Sequence, residues 1–479
     1  MNQRISIYIA NYLKEIHQKD DIYWDKFMAP FLNSFFSYYK PIKDSKNNNL
    51  EKQETITIPY GNNDFIVSLE EESYHYNLLR RGKMDYLNRE KISISNPSKK
   101  YIKKYIFPYS NKSKIAFLSF PNKLEKIIYY AMSMLDTKTC RLDYLEKNPI
   151  LEYSKTREEL LNKLLEEFGN SQEKMFELLV FSIPSIYIEN FSFYYGKAKQ
   201  EEKKLKDINV IFFLRHVFFN PTFLILLSLK SIREKKLITY QHGGVYGQTS
   251  ENWSEKTEKI LLTHFLTWGY KYKKEDIPFV SLRFKRYAFP KISLSQKKKI
   301  PLMVLPLLFR EEQLILIENS FKILSSVVNK KEVSIRFDPR EKNQKKFFSL
   351  LDSMNINYSV NQESKTLPIV ASQYKTTIFI TPNATGYLEL INMHFYPLMV
   401  FNEKDWNIRS ESMEIYKEMK KNNIWIDFDN SSNINLNVIT SKQQKAIKKF
   451  RKRFINTSFF PELKLNTFLL KEAIKGQKR

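Results

Sequence analysis

The hydrophobic positions of the chain change rhythm near residue 300. Before it the dominant repeat is helical. Phe27, Met28, Phe31, Leu32, Phe35 and Phe36 fall on one side of a helix over Asp25 to Tyr39, and Leu160, Leu161, Leu164 and Leu165 do the same over Thr156 to Phe168. Shorter apolar runs interrupt this pattern. Ile115 to Ser119 reads as a strand followed by a helix over Asn122 to Met134, and KLITY at Lys236 to Tyr240 as a buried strand that ends at a glycine loop. The polar stretch 41–60 reads as a loop.

After residue 300 strands and helices alternate. Strands are predicted over Ile300 to Leu308, Glu332 to Phe337, Thr377 to Thr381, Pro397 to Phe401 and Asn423 to Asp427. Between them helices are predicted over Glu312 to Val328, Lys342 to Met354, Ala384 to Met393 and Ser410 to Lys421. Strands joined by helices of this length imply βαβ units and a parallel, doubly wound sheet. Phe289 to Lys299, with Pro290 and a lysine run, reads as the linker. The expected domains are 1–292, 293–440 and a basic helical segment, 441–479.

Composition narrows the class. The 479 residues are 42% hydrophobic and 15% aromatic, enough to offset the ordering entropy of a core, so a mainly disordered chain is excluded. Cys140 is the only cysteine, which excludes an internal disulfide and thiolate zinc sites and suits a reducing compartment. The other histidines lack HExxH or close ligand spacing, and no metal is expected. No secretory signal opens the sequence, and the apolar run from Val210 to Leu229 is broken by Arg215, His216, Asn220 and Pro221, so a cytoplasmic protein is expected. Lys and Arg total 78 against 52 Asp and Glu, a net charge of 78 − 52 = +26. That excess calls for nucleic acid, anionic lipid or phosphate-bearing substrates as partners.

Only ten glycines are present, and three of them sit in Tyr240-Gln241-His242-Gly243-Gly244-Val245-Tyr246-Gly247. Glycines after a buried strand let the backbone approach a phosphate, and His242 adds a donor; a tight turn with a packed histidine is the structural alternative. The loop matches neither the P-loop nor GxGxxG, which argues against a conventional NTPase or NAD enzyme. A second candidate is Pro382-Asn383-Ala384-Thr385-Gly386, where a predicted strand turns into a helix. Backbone amides at that helix start would hold a phosphate, with Asn383 and Thr385 as side-chain donors and Glu389 one turn on for sugar hydroxyls. Ordinary N-capping, which such turns show in every α/β protein, is the alternative that the pattern alone favours for Asn and Thr. Arg336 and Arg340, after the strand at 332–337, could neutralise a diphosphate or be solvated surface.

Near the end, Lys442 to Arg453 holds seven basic residues with Ile447, Phe450 and Phe454 at helical spacing, followed by Phe459, Phe460 and Leu463. Such a helix suits an anionic membrane surface, where each cation adds about 1 kcal/mol, or serves as a solvated packing helix. No RNP, zinc-finger or KH signature supports nucleic acid.

Together, YQHGGVYG at 240–247, Glu255 and Glu258, and Thr267-Trp268-Gly269-Tyr270 resemble the transferase family of bacterial surface-carbohydrate biosynthesis that carries QHGG-x-YG followed by TWG. Tyr23-Trp24, Pro30, Pro184 with Glu189, Leu308-Phe309-Arg310, Arg336, Asn383-Ala384-Thr385 with Leu388-Glu389, and Phe401 to Arg409 extend the likeness over most of the chain. That family is similar to capsule Kdo and nonulosonic acid glycosyltransferases. The resemblance implies a GT-B-like α/β fold, two Rossmann-like domains facing a cleft, with the N-terminal one rich in helices. It also implies a metal-independent reaction with no cofactor. An acidic sugar (pseudaminic, legionaminic or sialic acid, or Kdo) would pass from a CMP-sugar donor to lipopolysaccharide or capsule at the inner-membrane surface. In this scheme Gln241, Gly243, Gly244, Arg336, Asn383, Thr385, Gly386 and Glu389 bind the donor, and His242 stabilises the leaving phosphate. Glu255 and Glu189 are the candidates for the acceptor base. A different nucleotide-dependent transferase, moving glycerol phosphate or a neutral sugar, and a non-enzymatic polyanion-binding protein are the rival readings.

Overall fold

The structure is a computed structural model that describes residues 2–38, 115–118, 138–140, 155–183, 185–213, 221–250, 252–282, 284, 297–306, 313–328, 332–338, 341, 344–382, 384–431 and 440–475. The expected helix at Asn122 to Met134, the loop at 41–60, the triplet Leu308-Phe309-Arg310, and Asn383 and Arg340 lie outside these residues.

Among the described residues, two six-stranded sheets organise the chain. The first is formed by β1 (Ile115–Leu118), β2 (Lys138–Cys140), β3 (Val210–Phe213), β4 (Lys236–Tyr240), β5 (His264–Thr267) and β6 (Asp276–Pro278), in the order β2-β1-β3-β4-β5-β6. The second is formed by β7 (Leu302–Val304), β8 (Val333–Arg336), β9 (Tyr358–Val360), β10 (Thr377–Phe379), β11 (Leu398–Val400) and β12 (Trp425–Ile426), in the order β12-β11-β10-β7-β8-β9. All five neighbouring pairs of the second sheet are parallel. Its order is that of the doubly wound dinucleotide-binding sheets: the chain enters at the centre, winds out through β8 and β9, then returns to β10 and winds the other way. The first sheet follows the flavodoxin-type order with one strand added. The chain therefore has an α/β architecture of two Rossmann-like sheets.

Short strands suffice because both faces of such a sheet are covered. Met303, Ile335, Ile378 and Val400 from the strands close on Phe321, Leu324, Phe347 and Leu351 from the helices, all fully buried. Each such side chain contributes about 1.5–3 kcal/mol relative to exposure. The observed helices Gln313–Val328, Gln344–Ser353, Thr385–Asn392 and Ser410–Lys421 lie within two residues of the bounds that the sequence predicts. Within this second sheet β9 is the strand that apolar patterning misses, because Tyr358, Ser359 and Val360 stay partly or fully exposed at the sheet edge.

By contacts the chain divides into two units, one of Met1–Thr239, Trp253–His264 and Leu465–Arg479, the other of Tyr240–Asn252 and Phe265–Lys464. The first is rich in helices, including Asn2–His17, Trp24–Tyr38, Thr156–Phe168 and Phe191–Lys204. Among them His17 stacks on Trp24, with ring centroids 5.4 Å apart, and leans on Phe191 at 4.2 Å.

Candidate active site

In the second unit, the place where the winding reverses lies between β7 and β10. Open α/β sheets bind ligands beyond the carboxyl ends of their strands at this point. β10 leads through Thr381 and Pro382 into the helix Thr385–Asn392. Ala384 occupies the N-cap position and has no side-chain oxygen to take up an amide of the first turn, and no side-chain cap bond forms.

Thr385 is engaged elsewhere. Its Oγ1 accepts a hydrogen bond from the backbone N–H of Gly244 at 3.0 Å, so the two motifs that the sequence separates by 141 positions meet here. The approach is tight: a Cβ on Gly244 would stand 2.9 Å from the Thr385 Cα, which is why this position takes glycine. At Gly386 a Cβ would meet the Leu367 side chain at 2.7 Å, so glycine also lets this helix start pack closely.

The loop around Gly244 is held by neutral hydrogen bonds. Gln241 is buried, and its amide works at both ends: Nε2 donates to the Gly243 carbonyl at 2.8 Å and Oε1 accepts from the Trp268 N–H at 2.8 Å. Gln248, also buried, donates to the Gly244 carbonyl and accepts from the Tyr416 hydroxyl at 2.6 Å. Burial pushes the Tyr416 phenol far above its ordinary range, so it remains a donor at any working pH. Gly247 adopts φ +73°, and its carbonyl accepts from the Ser412 hydroxyl at 2.6 Å. His242 is half-buried, with the Tyr246 hydroxyl 3.0 Å from Nδ1 and 3.1 Å from Nε2. Tyr246 is itself fixed by stacking on Phe265.

Arg336 stands at the end of β8, next to β7, where a phosphate-binding cation would be placed. Its guanidinium ties down the following loop, donating to Asn361 Oδ1 at 3.2 Å, to the Glu363 carbonyl at 3.0 Å and to the Lys365 carbonyl. Glu389 lies one turn inside the helix that begins at Thr385 and is half-buried.

A model of the LIC12162 family transferases matches residues 1–469. The chain belongs to this transferase family. No curated protein matches it. Among solved structures, the transferase is similar to a Listeria monocytogenes protein described as a UDP-N-acetylglucosamine 2-epimerase, with 10% identity over 77% of this chain and 98% of the other and a TM-score of 0.42. It is also similar to MurG of Acinetobacter baumannii, with 8% identity, 77% and 95% coverage and a TM-score of 0.32. The UDP-GlcNAc 2-epimerase of Neisseria meningitidis bound to UDP-GlcNAc gives 13% identity, 74% and 99% coverage and a TM-score of 0.34.

In the first unit of the transferase, Glu189 forms a two-pronged ion pair with Arg157: Nε to Oε1 at 2.7 Å and Nη2 to Oε2 at 3.0 Å. Arg157 also donates to the Val180 carbonyl at 2.8 Å. Glu255 is buried on the helix Trp253–Ile260, with its Oε1 2.7 Å from Lys259 Nζ one turn later. Each carboxylate thus has a cation partner of its own. Sequence reasoning missed Gln248, Ser412 and Tyr416. The signal for the last two was their spacing of four on a predicted helix, and Gln248 closes the glycine loop. Among the described residues no three His, Cys, Asp or Glu side chains gather as a metal site requires, and no helix is long and apolar enough to cross a membrane.

Proposed function

We propose that this transferase is a glycosyltransferase that passes an acidic sugar from a CMP-sugar to a bacterial surface glycan. The observation that carries the reading is the bond between Gly244 and Thr385 at the reversal point of the second sheet. It joins a glycine loop to a helix start whose N-cap position is alanine, a combination suited to an anionic phosphate. The resemblance of QHGG-x-YG and TWG to transferases of acidic sugars supports the choice of CMP.

In this reaction the bond between the anomeric carbon and the CMP phosphate oxygen breaks, and its electron pair stays on the phosphate. The acceptor hydroxyl oxygen bonds to that carbon and releases its proton to a base. The transition state gathers negative charge on the departing phosphate, so donors aimed there supply the catalytic advantage. His242, steadied by Tyr246, faces this charge, the helix start at Thr385 and Gly386 adds its dipole, Asn383 and Glu389 contact the nucleotide, and Arg336 holds the neighbouring loop and adds positive potential. Gln241 and Gln248 keep Gly243 and Gly244 in register. Glu189 and Glu255 keep the ion-pair roles that their geometry gives them.

Thermal-shift titration with CMP, CDP, UMP, UDP, GDP and ADP tests the donor. CMP at a hundred times its dissociation constant should add about 2.7 kcal/mol of stability, and a preference for a diphosphate would move the donor to another class. With the donor in hand, His242→Ala and Thr385→Ala should each lower turnover by about 10²-fold; activity within a few-fold of wild type would sink the site.

A further inference from the structure

The helix Ser441–Phe454 carries seven cations and no acidic residue, but its apolar stripe is not available to a membrane. Ile447, Phe450 and Phe454 are buried, and Phe450 packs edge-on against Tyr387 and Tyr416. The apolar surface lies just beyond it. Phe459, Phe460 and Leu463 are 65%, 70% and 64% exposed, three large hydrophobic side chains within five residues at the start of the helix Pro461–Lys475. The chain leading to them is pinned, since Asn456 N–H donates to the Trp268 carbonyl and its own carbonyl accepts from Ser281 N–H, each at 2.6 Å. Such a patch on a fixed backbone marks an interaction surface. The cations near it in sequence outnumber the one acidic neighbour, Glu462: Lys445, Lys448 and Lys452 on the helix, and Lys464 beside Leu463, are all exposed.

We propose that Phe459, Phe460 and Leu463 form a wedge that enters the interface of an anionic bilayer, with the lysines of the preceding helix and Lys464 against the lipid phosphates. Aromatic and aliphatic side chains grouped together, backed by compact cations, match the boundary between acyl chains and phosphate headgroups. A single-stranded nucleic acid fits less well, because it prefers aromatic platforms spaced along a strand, and Leu463 gives no stacking face. The proposal does not rest on glycosyl transfer, and its test uses no substrate.

Co-sedimentation of the full chain with phosphatidylcholine vesicles, with and without phosphatidylglycerol, reads the interaction directly. Wild type should partition onto the anionic vesicles. The triple variant F459S/F460S/L463S, with an unchanged melting temperature, should partition at least about tenfold less at every salt concentration. The variant K445E/K448E/K452E guards against a folding artefact: it should lose binding at low salt and match the wild type at high salt, where the lysines are screened. Equal partitioning of wild type and the triple variant would overturn the wedge. So would wild type that ignores anionic vesicles while retaining single-stranded RNA.

Discussion

Glu189 and Glu255 of the first unit and the glycine loop of the second are held by different means. The first unit buries charge: Arg157 with Glu189 and Lys259 with Glu255 are ion pairs whose side chains are at most 10% exposed. The second unit builds its loop 241–248 from neutral groups, two glutamines, a tyrosine and a serine, each bonded to backbone or to one another. A buried ion pair resists the loss of either partner, because the other charge is then stranded. A neutral network fixes the carbonyls of Gly243, Gly244 and Gly247 without adding a competing charge, which suits the anionic leaving group proposed above. The ion pairs at Glu189 and Glu255 keep charge inside the first unit, and the loop proposed to bind the donor is held by uncharged groups.

The sharpest way to break that contrast is at the ion pair. Glu189→Gln should cost about 3–5 kcal/mol, read as a lowered urea midpoint, because Arg157 loses its counter-charge in a dry site. Replacing both partners, Arg157→Met with Glu189→Leu, should recover most of that loss. A recovered double variant that folds and transfers no sugar would instead place Glu189 in the chemistry.

In the second unit, Gly247→Ala should cost on the order of 1–3 kcal/mol, since the position has φ +73° and a Cβ would stand 2.6 Å from the Tyr270 ring. Melting of the purified variant measures it, and a melt equal to wild type would show that the loop tolerates repacking. If the loop is chemical rather than architectural, the loss of activity in this variant should exceed its loss of stability.

A smaller effect separates the first unit by pH. Burial between Trp24 and Phe191 lowers the proton affinity of His17, and its bond to the Tyr187 carbonyl only partly opposes this. The unfolded chain then binds a proton more readily than the folded one, so this contribution to stability is complete above about pH 6.5 and declines as the pH falls below it. Urea midpoints at pH 7.5 and 5.5 should show a drop that narrows in His17→Gln; an unchanged drop would assign the acid sensitivity to other groups. The smallest effect belongs to the exposed pair Lys449 and Glu418, 2.7 Å apart, where Glu418→Gln should change stability by about 1 kcal/mol or less. A larger change would mean that charge matters on the surface of the second unit as well.

Much of the fold was legible because the second sheet is covered on both faces, so its strands read as short apolar runs between amphipathic helices. β5 and β6 of the first sheet were not read as strands. Thr267 and Asp276 interrupt their apolar pattern, and both side chains are buried by the tertiary structure. The basic helix was also legible as a helix, and Thr440 starts it with a capping box closed by Gln443. Its apolar residues looked available for lipid because periodicity marks a buried face without saying what buries it.

For the candidate site, the sequence by itself determined which residues are chemically able: a glycine cluster in a glycine-poor chain, a histidine within it, and a turn into a helix with Asn, Thr and Gly. Local spacing carries that information, since turns and helix starts are short-range structures. Only the tertiary structure decided that Gly244 donates to Thr385 across 141 residues, that Gln241, Gln248 and Arg336 bond to the protein's own backbone and side chains, and that Glu189 and Glu255 are matched with cations. Those outcomes depend on which groups the packing of distant segments brings within hydrogen-bonding distance, and a few ångströms decide whether a side chain is held by the protein or left for a ligand.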